Sequence, residues 1–493
     1  NLSNFGIKDL VNGVDLTNAD MELKITKNKL TANGGGNLNN IPVKINWNQL
    51  LNSNEEVDVK IEGLVSSKNL ESFNLEFLKM IDGEVLFNFN GKIVKNKISN
   101  AEVFLDLYKS KIDLDYFNYV KEYNKPATIK FNYRNSEKFS IFEKFEYNSN
   151  DIVIYGDAEI NESLELVRLD VEKFISPLND ISFSIRKKRP KGYLVAVNGN
   201  NLYVENYVKK FLDSELKFNF PEIKLFIQVN KMQFTKNQFL TNSKTEIEYN
   251  GNQIEFLKST GKLNDEGHII AKIITKNKKD KYFLIHTKNA GSIAKSTGFF
   301  EDAKGGTLLI YAKINENKNQ PLFDGKMVLE NIRLIKVPLL ARILSLASLT
   351  GIIEVFSGEG ILFVKGDIPF SYSDGNLLID DARLYGPPLG MRLGGSFNNA
   401  EDKVDISGTI IPAYTINSIL GQIPLLGSLL VGQKKEGVFA ISYQIKGPKS
   451  EPFVGINPIL SLSPGFIRDF FSVFKSGPAP PTLEELEIGG LPD

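Results

Sequence analysis

Cysteine is absent from this 493-residue chain, so neither a disulfide framework nor a thiolate metal site can form. Histidine is nearly absent. His268 and His286 stand singly in strand-like surroundings, which leaves imidazole-based acid–base or metal chemistry without material. No sign of charge dominates: Lys plus Arg and Asp plus Glu both number 59, and a nucleic-acid partner, which asks for a basic surface, is not expected. Long apolar runs are missing too. The nearest, residues 337–356, carries Arg342 and Glu354, and residues 1–10 lack the basic-then-apolar pattern of a signal peptide. Any membrane anchor is therefore expected upstream of Asn1. There is no G-x-S-x-G, no phosphate-binding loop and no H-E-x-x-H. Asp380 and Asp381 are adjacent in a predicted strand and so alternate faces. The expectation is a protein with no catalytic residues, no metal and no cofactor.

What the chain has is alternation. Hydrophobic residues make up 42%, with 34 Phe and 17 Tyr. Val85, Phe87 and Phe89 alternate with Leu86 and Asn88; Ile129, Phe131 and Tyr133 alternate with Lys130 and Asn132. Leu216, Phe218 and Phe220 follow the same rule, as do Leu225, Ile227 and Val229. A period of two puts one apolar and one polar face on each strand. Asn-Gly and Asp-Gly pairs punctuate these runs, at 12–13, 33–34, 82–83, 90–91, 198–199, 250–251, 324–325 and 374–375. Read as tight turns, they predict an antiparallel meander. Gly34-Gly35-Gly36 reads as a turn as well. About 25 strands spaced ~4.8 Å would make a sheet on the order of 120 Å long.

Helical signals are few. Residues 337–356 are apolar nearly all round and read as a buried helix closing the end of a sheet. Ile416, Ile419, Leu420 and Ile423 are spaced for a second, ended by Pro424. In residues 465–475, Phe466, Ile467, Phe470, Phe471 and Phe474 share one face of a third, suited to contact with a membrane or partner. The tail from Ser476 is Pro-rich, then acidic, and is expected to be disordered. Strands with one apolar face and few helices must still hide that face. They can fold into a closed sandwich, close as a barrel, or curl into a trough whose floor holds a ligand. Composition does not choose among these.

Five stretches carry a resemblance: KGGTLLIYAKI (304–314), LARILSLASLTGIIEVFSGEGILF (340–363), DGNLLIDDARLYGPPLGMRLGGSF (374–397), DISGTIIPAYTINSILGQIPLLGSLLVG (405–432) and VGINPILSLSPGFIRDFF (454–471). In order and spacing they resemble the C-terminal region of the AsmA-like family, especially its YhdP- and TamB-type members. QKKEG after GSLLVG departs from the family's small residues and glycines. Residues 1 to about 290 resemble the family in style only.

The resemblance implies a mainly β fold, a long antiparallel curved sheet forming an open hydrophobic trough (a β-taco), with a few short apolar helices near the C-terminus. It divides the chain into an extended β-groove region (1–290), an AsmA-like C-terminal region (291–475) and the tail (476–493). It implies a bridge-like lipid transfer protein in the periplasm of a Gram-negative bacterium, tethered to the inner membrane by an upstream helix, serving outer-membrane biogenesis. Phospholipids would be its cargo and outer-membrane or periplasmic proteins its partners. The alternating residues at 85–89, 129–133, 216–220 and 225–229 would line the groove. Two other readings compete: a structural or assembly protein with a closed β-sandwich core, and a surface adhesin.

Overall fold

The computed structural model describes residues 1–11, 13–51, 56–70, 80–114, 119–136, 138–188, 190–212, 221–276, 280–296, 302–315, 322–335, 338–346, 360–387, 389–398, 401–412, 438–462 and 469–470. The fold is mainly β, a curved, open sheet that does not close into a barrel. Twenty-nine strands and four short helices lie among the described residues, the longest helix being Pro338–Leu346. Two compact units divide the chain. The first holds Asn1–Asn206 with Pro221–Val229, and the second consists chiefly of the residues from Asn230 onward. The sequence division expected at residue 290 falls inside the second.

In the first unit an antiparallel ladder runs from Leu2–Val11 to Tyr193–Tyr203. Each strand pairs with its sequence neighbour, with one detour: Lys97–Asp106 pairs with Ala127–Asn135. Between them, Ser110–Leu114 and Tyr119–Lys121 form a small second sheet against Ile81–Gly83. The second unit repeats the pattern from Gln238–Tyr249 to Phe453–Leu462, with one detour where Asp280–Thr287 pairs with Thr307–Ile314.

The ladders are bent by β-bulges. Asn4, Asp9, Asn18, Lys144 and Asn242 take left-handed backbone conformations inside strands (φ 50–53°), each where the register slips. An extra residue on one strand bends and twists it. Carboxylates from the neighbouring strand hold three of these bulges. The backbone N–H groups of Asn4, Asp9 and Lys144 donate to Asp20, Asp15 and Asp157 at 2.9, 2.8 and 2.8 Å.

Several dipeptides expected to turn the chain do not. Asn33-Gly34, Asn90-Gly91, Asn198-Gly199 and Asp324-Gly325 lie inside strands, as does Gly34-Gly35-Gly36. Close packing across the sheet is the reason. A Cβ on Gly91 would sit 2.9 Å from Asn100 O of the next strand and 2.7 Å from the Phe89 ring of its own, and one on Gly63 would sit 2.7 Å from the ring of Phe87 across the ladder, so these rings take space that a side chain would need. Asp374-Gly375 does make a hairpin with both residues at positive φ (48° and 78°), and so do Asn39-Asn40 and Lys95-Asn96 without any glycine.

Candidate functional site

Register converts alternation into a surface, because residues paired across a ladder share a face. In the first unit one transverse row reads Leu23, Ala32, Trp47, Val59, Gly91, Ala101, Tyr133, Phe142, Ala158, Leu169, Ile185, Val195. A parallel row holds Val43, Gly63, Phe87, Leu105, Ile129, Tyr147, Ile154, Phe174 and Ile181. Every member of both rows is apolar, aromatic or glycine. The opposite face is polar over most of its width: one row runs Glu22, Asn33, Asn46, Lys60, Asn90, Glu102, Asn132, Glu143.

Exposure separates a floor from a core. Small members of the first row, such as Val59 and Ala101, are buried by their neighbours. The large ones, Trp47, Tyr133, Phe142, Leu169 and Ile185, are only half-buried. A close-packed interior buries its largest side chains most completely. The first row does the reverse, whereas Tyr147 and Phe174 of the second row are buried.

The expected lining residues distribute as follows. Val85 is buried, and Phe87, Phe89, Ile129, Phe131 and Tyr133 are half-buried, all on the apolar face. Phe131 and Tyr133 both meet the Phe142 ring, with centroids at 5.5 and 5.6 Å. Leu225 is half-buried and Ile227 and Val229 are buried in the strand Ile223–Thr235, with Phe226 exposed between them. Leu216, Phe218 and Phe220 lie outside the described residues. Trp47, Phe142, Tyr147, Leu169 and Ile185 were not singled out from the sequence. Around Phe142 the bulge at Lys144 changes the spacing from two to three and hides the alternation.

One long side of the first unit is walled. The small sheet folds over the apolar face there, and Tyr119 Oη reaches Tyr147 Oη at 3.3 Å and Ser149 Oγ at 3.0 Å. Burial, followed by the bond to Tyr119, pushes the Tyr147 hydroxyl's titration far up. Lys121 pins this wall: its buried ammonium donates to the carbonyls of Leu107 and Ser110, and burial lowers its pKa. Among the described residues the opposite side carries only hairpin tips.

The second unit is more sealed. A row from Ile247 through Leu257, Ile273, Phe283, Ala312, Gly325, Phe370, Ile379, Gly395, Ile406 and Ile445 to Val454 is again wholly apolar. Most of its members are buried. Leu340, Ile343 and Leu344 of the helix Pro338–Leu346 pack into the same cluster, as does Ala290 of the helix Ala290–Ser296. The helix expected over 337–356 is described across 338–346 and is buried on one side only: Leu340, Ile343 and Leu344 are buried, while Leu339 and Leu346 are exposed; its remainder, and the segment 415–423, lie outside the described residues.

Of the C-terminal Phe face only Phe470 is described, and it is fully buried. Phe466, Ile467, Phe471 and Phe474 are not among the described residues. A surface waiting for a membrane would leave Phe470 accessible, so this residue is corrected from a membrane contact to a packed one. Next to it Asp469 is held by Arg383 and Arg392 at 3.4 and 3.5 Å. Both guanidiniums also grip Asp381, at 2.7 and 2.6 Å. Burial alone would raise the Asp381 carboxyl, but the hydrogen bonds and charges of the two arginines outweigh it and hold the group below the usual carboxylate range.

Among the described residues no group of three or more His, Asp or Glu could hold a metal ion, and no helix is long and apolar enough to cross a membrane. The class these features define is a mainly β protein whose first unit presents an accessible apolar sheet face. Comparison with protein-family models, with curated proteins and with solved structures gave no match to this chain.

Proposed function

We propose that this protein is a bridge-like lipid transfer protein whose apolar sheet face carries phospholipid acyl chains. The observation behind the reading is the floor of the first unit, apolar across its ladder, with Trp47, Tyr133, Phe142, Leu169 and Ile185 of one whole row only half-buried. Each CH₂ moved out of water gains about 0.8 kcal/mol, so a diacyl lipid crossing water unaided faces a barrier of tens of kcal/mol. A continuous apolar floor removes most of that barrier. It needs no catalytic group and no specific pocket, and deep local sites would only slow sliding. With the AsmA-like resemblance, the proposal extends to place: the periplasm, tethered to the inner membrane, with lipid moving toward the outer membrane.

The test exploits the two faces. Phe131 and Asn132 are adjacent in one strand and point opposite ways. A photoactivatable phenylalanine at each, irradiated in bacterial cells, should give phospholipid adducts at 131 and not at 132. No adduct at 131, or equal adducts at both, would overturn the reading. The sealed cluster of the second unit favours a closed, purely structural core for that unit, and the same probe at Phe363, fully buried there, should stay free of lipid.

A further inference from the structure

We infer that the tips of the first hairpins of unit one form a port that docks on an anionic bilayer and passes acyl chains sideways onto the floor. This inference rests on the floor reading and adds where lipid gets on. Three observations converge at the unwalled side.

Exposure comes first. Along the strand Val14–Ile25 the apolar column rises from buried Met21 through half-buried Leu23 to Ile25, which is 71% exposed. Next to it Leu50 and Leu51 are 54% and 46% exposed. The two tips are one surface, because Leu51 N donates to Asn28 O at 2.9 Å. On the strand Val14–Ile25 the apolar column thus runs to an exposed end at Ile25, whose row continues through Leu30, Gln49 and Val57, while Leu50, paired with Lys29, lies on the other face of the same tip.

Charge comes second. Among the described residues of these tips, Lys24, Lys27, Lys29, Lys92, Lys95 and Lys97 stand against Glu22, Glu56 and Asp58. The acids are engaged: Glu22 with Lys24 at 3.2 Å, Glu56 and Asp58 with Lys92 at 2.5 and 3.9 Å. Lys27, Lys95 and Lys97 are exposed and have no ion-pair partner among the described residues. Exposed aliphatic tips among lysines match a bilayer of anionic lipids, where apolar side chains enter the acyl boundary and ammoniums meet phosphates.

Third, Trp47 lies on the floor just inside this rim. It is half-buried, and its indole N–H donates outward to Gln49 Oε1 at 3.4 Å. A ring with an apolar body and a polar edge suits the boundary between lipid and water. Trp47 is also the chain's single tryptophan, so its fluorescence reports this place alone.

The experiment uses bromine quenching of that fluorescence in the full chain. Vesicles of phosphatidylcholine and phosphatidylglycerol, doped with a dibrominated phosphatidylcholine, should quench Trp47, and vesicles carrying the same dibrominated phosphatidylcholine but no phosphatidylglycerol should quench far less. The variant Ile25→Ser/Leu50→Ser/Leu51→Ser should need about tenfold more anionic vesicle for the same quench. Monomeric bromododecanoate, which reaches the floor without a bilayer, should quench wild type and variant alike and shows that the variant is folded. Unchanged vesicle quenching in the variant, equal quenching by neutral vesicles, or none in the wild type overturns the port. Failure of bromododecanoate to quench the wild type overturns the floor reading instead.

Discussion

Replacing Phe131 with aspartate separates an open floor from a sealed core by magnitude. A fully buried Phe contributes up to about 3 kcal/mol of transfer free energy, so a half-buried one stands to lose about 1.5. Its contact with the Phe142 ring, centroids 5.5 Å apart, adds about 0.5–1.5 kcal/mol. The new carboxylate faces water from the open side and keeps most of its hydration. The expected cost is therefore about 2–3 kcal/mol, which lowers the melting temperature without abolishing folding. Ile343→Asp makes the contrast. Ile343 is 2% exposed in the cluster under the helix Pro338–Leu346, where an unpaired carboxylate costs several kcal/mol on top of the lost side chain. Circular dichroism melts of both variants, with phosphorus analysis of the purified proteins, supply the readout. Phe131→Asp should melt as a folded protein with its bound phospholipid sharply reduced. If it unfolds as Ile343→Asp does, the face is a core. If it stays folded and keeps its full lipid, the floor does not carry lipid.

Gly63→Val should cost about 1–3 kcal/mol and reduce bound phospholipid, because its side chain would collide with the Phe87 ring at 2.7 Å and with Pro42 O at 2.9 Å; unchanged melting and lipid content would refute the close packing of Phe87 on Gly63. Asp381→Asn should destabilise by about 2 kcal/mol at neutral pH, since it leaves Arg383 and Arg392 with a weaker shared acceptor. The folded Asp381 pKa is depressed, so its contribution is present above the unfolded carboxyl range and lost as pH falls through the folded value. The gap between wild type and variant in melting temperature should accordingly close below about pH 4, and a constant gap would refute the assignment. Leu164, 60% exposed at a hairpin tip with φ 60°, should gain about 0.5–1 kcal/mol on change to Asn, read as a higher melting temperature.

Period-two alternation was enough to place Val85–Phe89 and Ile129–Tyr133 on strands and to put their aromatic residues on one face. It could not supply register, which is what joins Leu23 to Val195 as a surface, because register depends on where bulges insert. Those bulges use Asn, Asp and Lys at positive φ, held by carboxylates on another strand, so no local motif announces them. Asn90-Gly91 has the composition of a turn, but it lies inside a strand where a Cβ on Gly91 would meet Asn100 O of the neighbouring strand at 2.9 Å, a tertiary requirement. Phe470 has the spacing of a membrane-facing residue and is buried beside the arginine pair that holds Asp469, some ninety residues away along the chain from Arg383.

The ladder's sequence-neighbour pairing has a kinetic consequence. Apart from the detours at 107–126 and 288–306 and the longer connections at 67–80, 204–222, 335–360 and 413–437, each strand closes against the one just made across a short loop. Such a chain can zip up from its first hairpin as it emerges, and a greasy strand waits only for its successor. Its stability is then close to a sum of nearest-neighbour terms, as in repeat proteins. Native-state hydrogen exchange should show protection falling strand by strand around a local lesion such as Gly63→Val, with the distant hairpins of the ladder still protected.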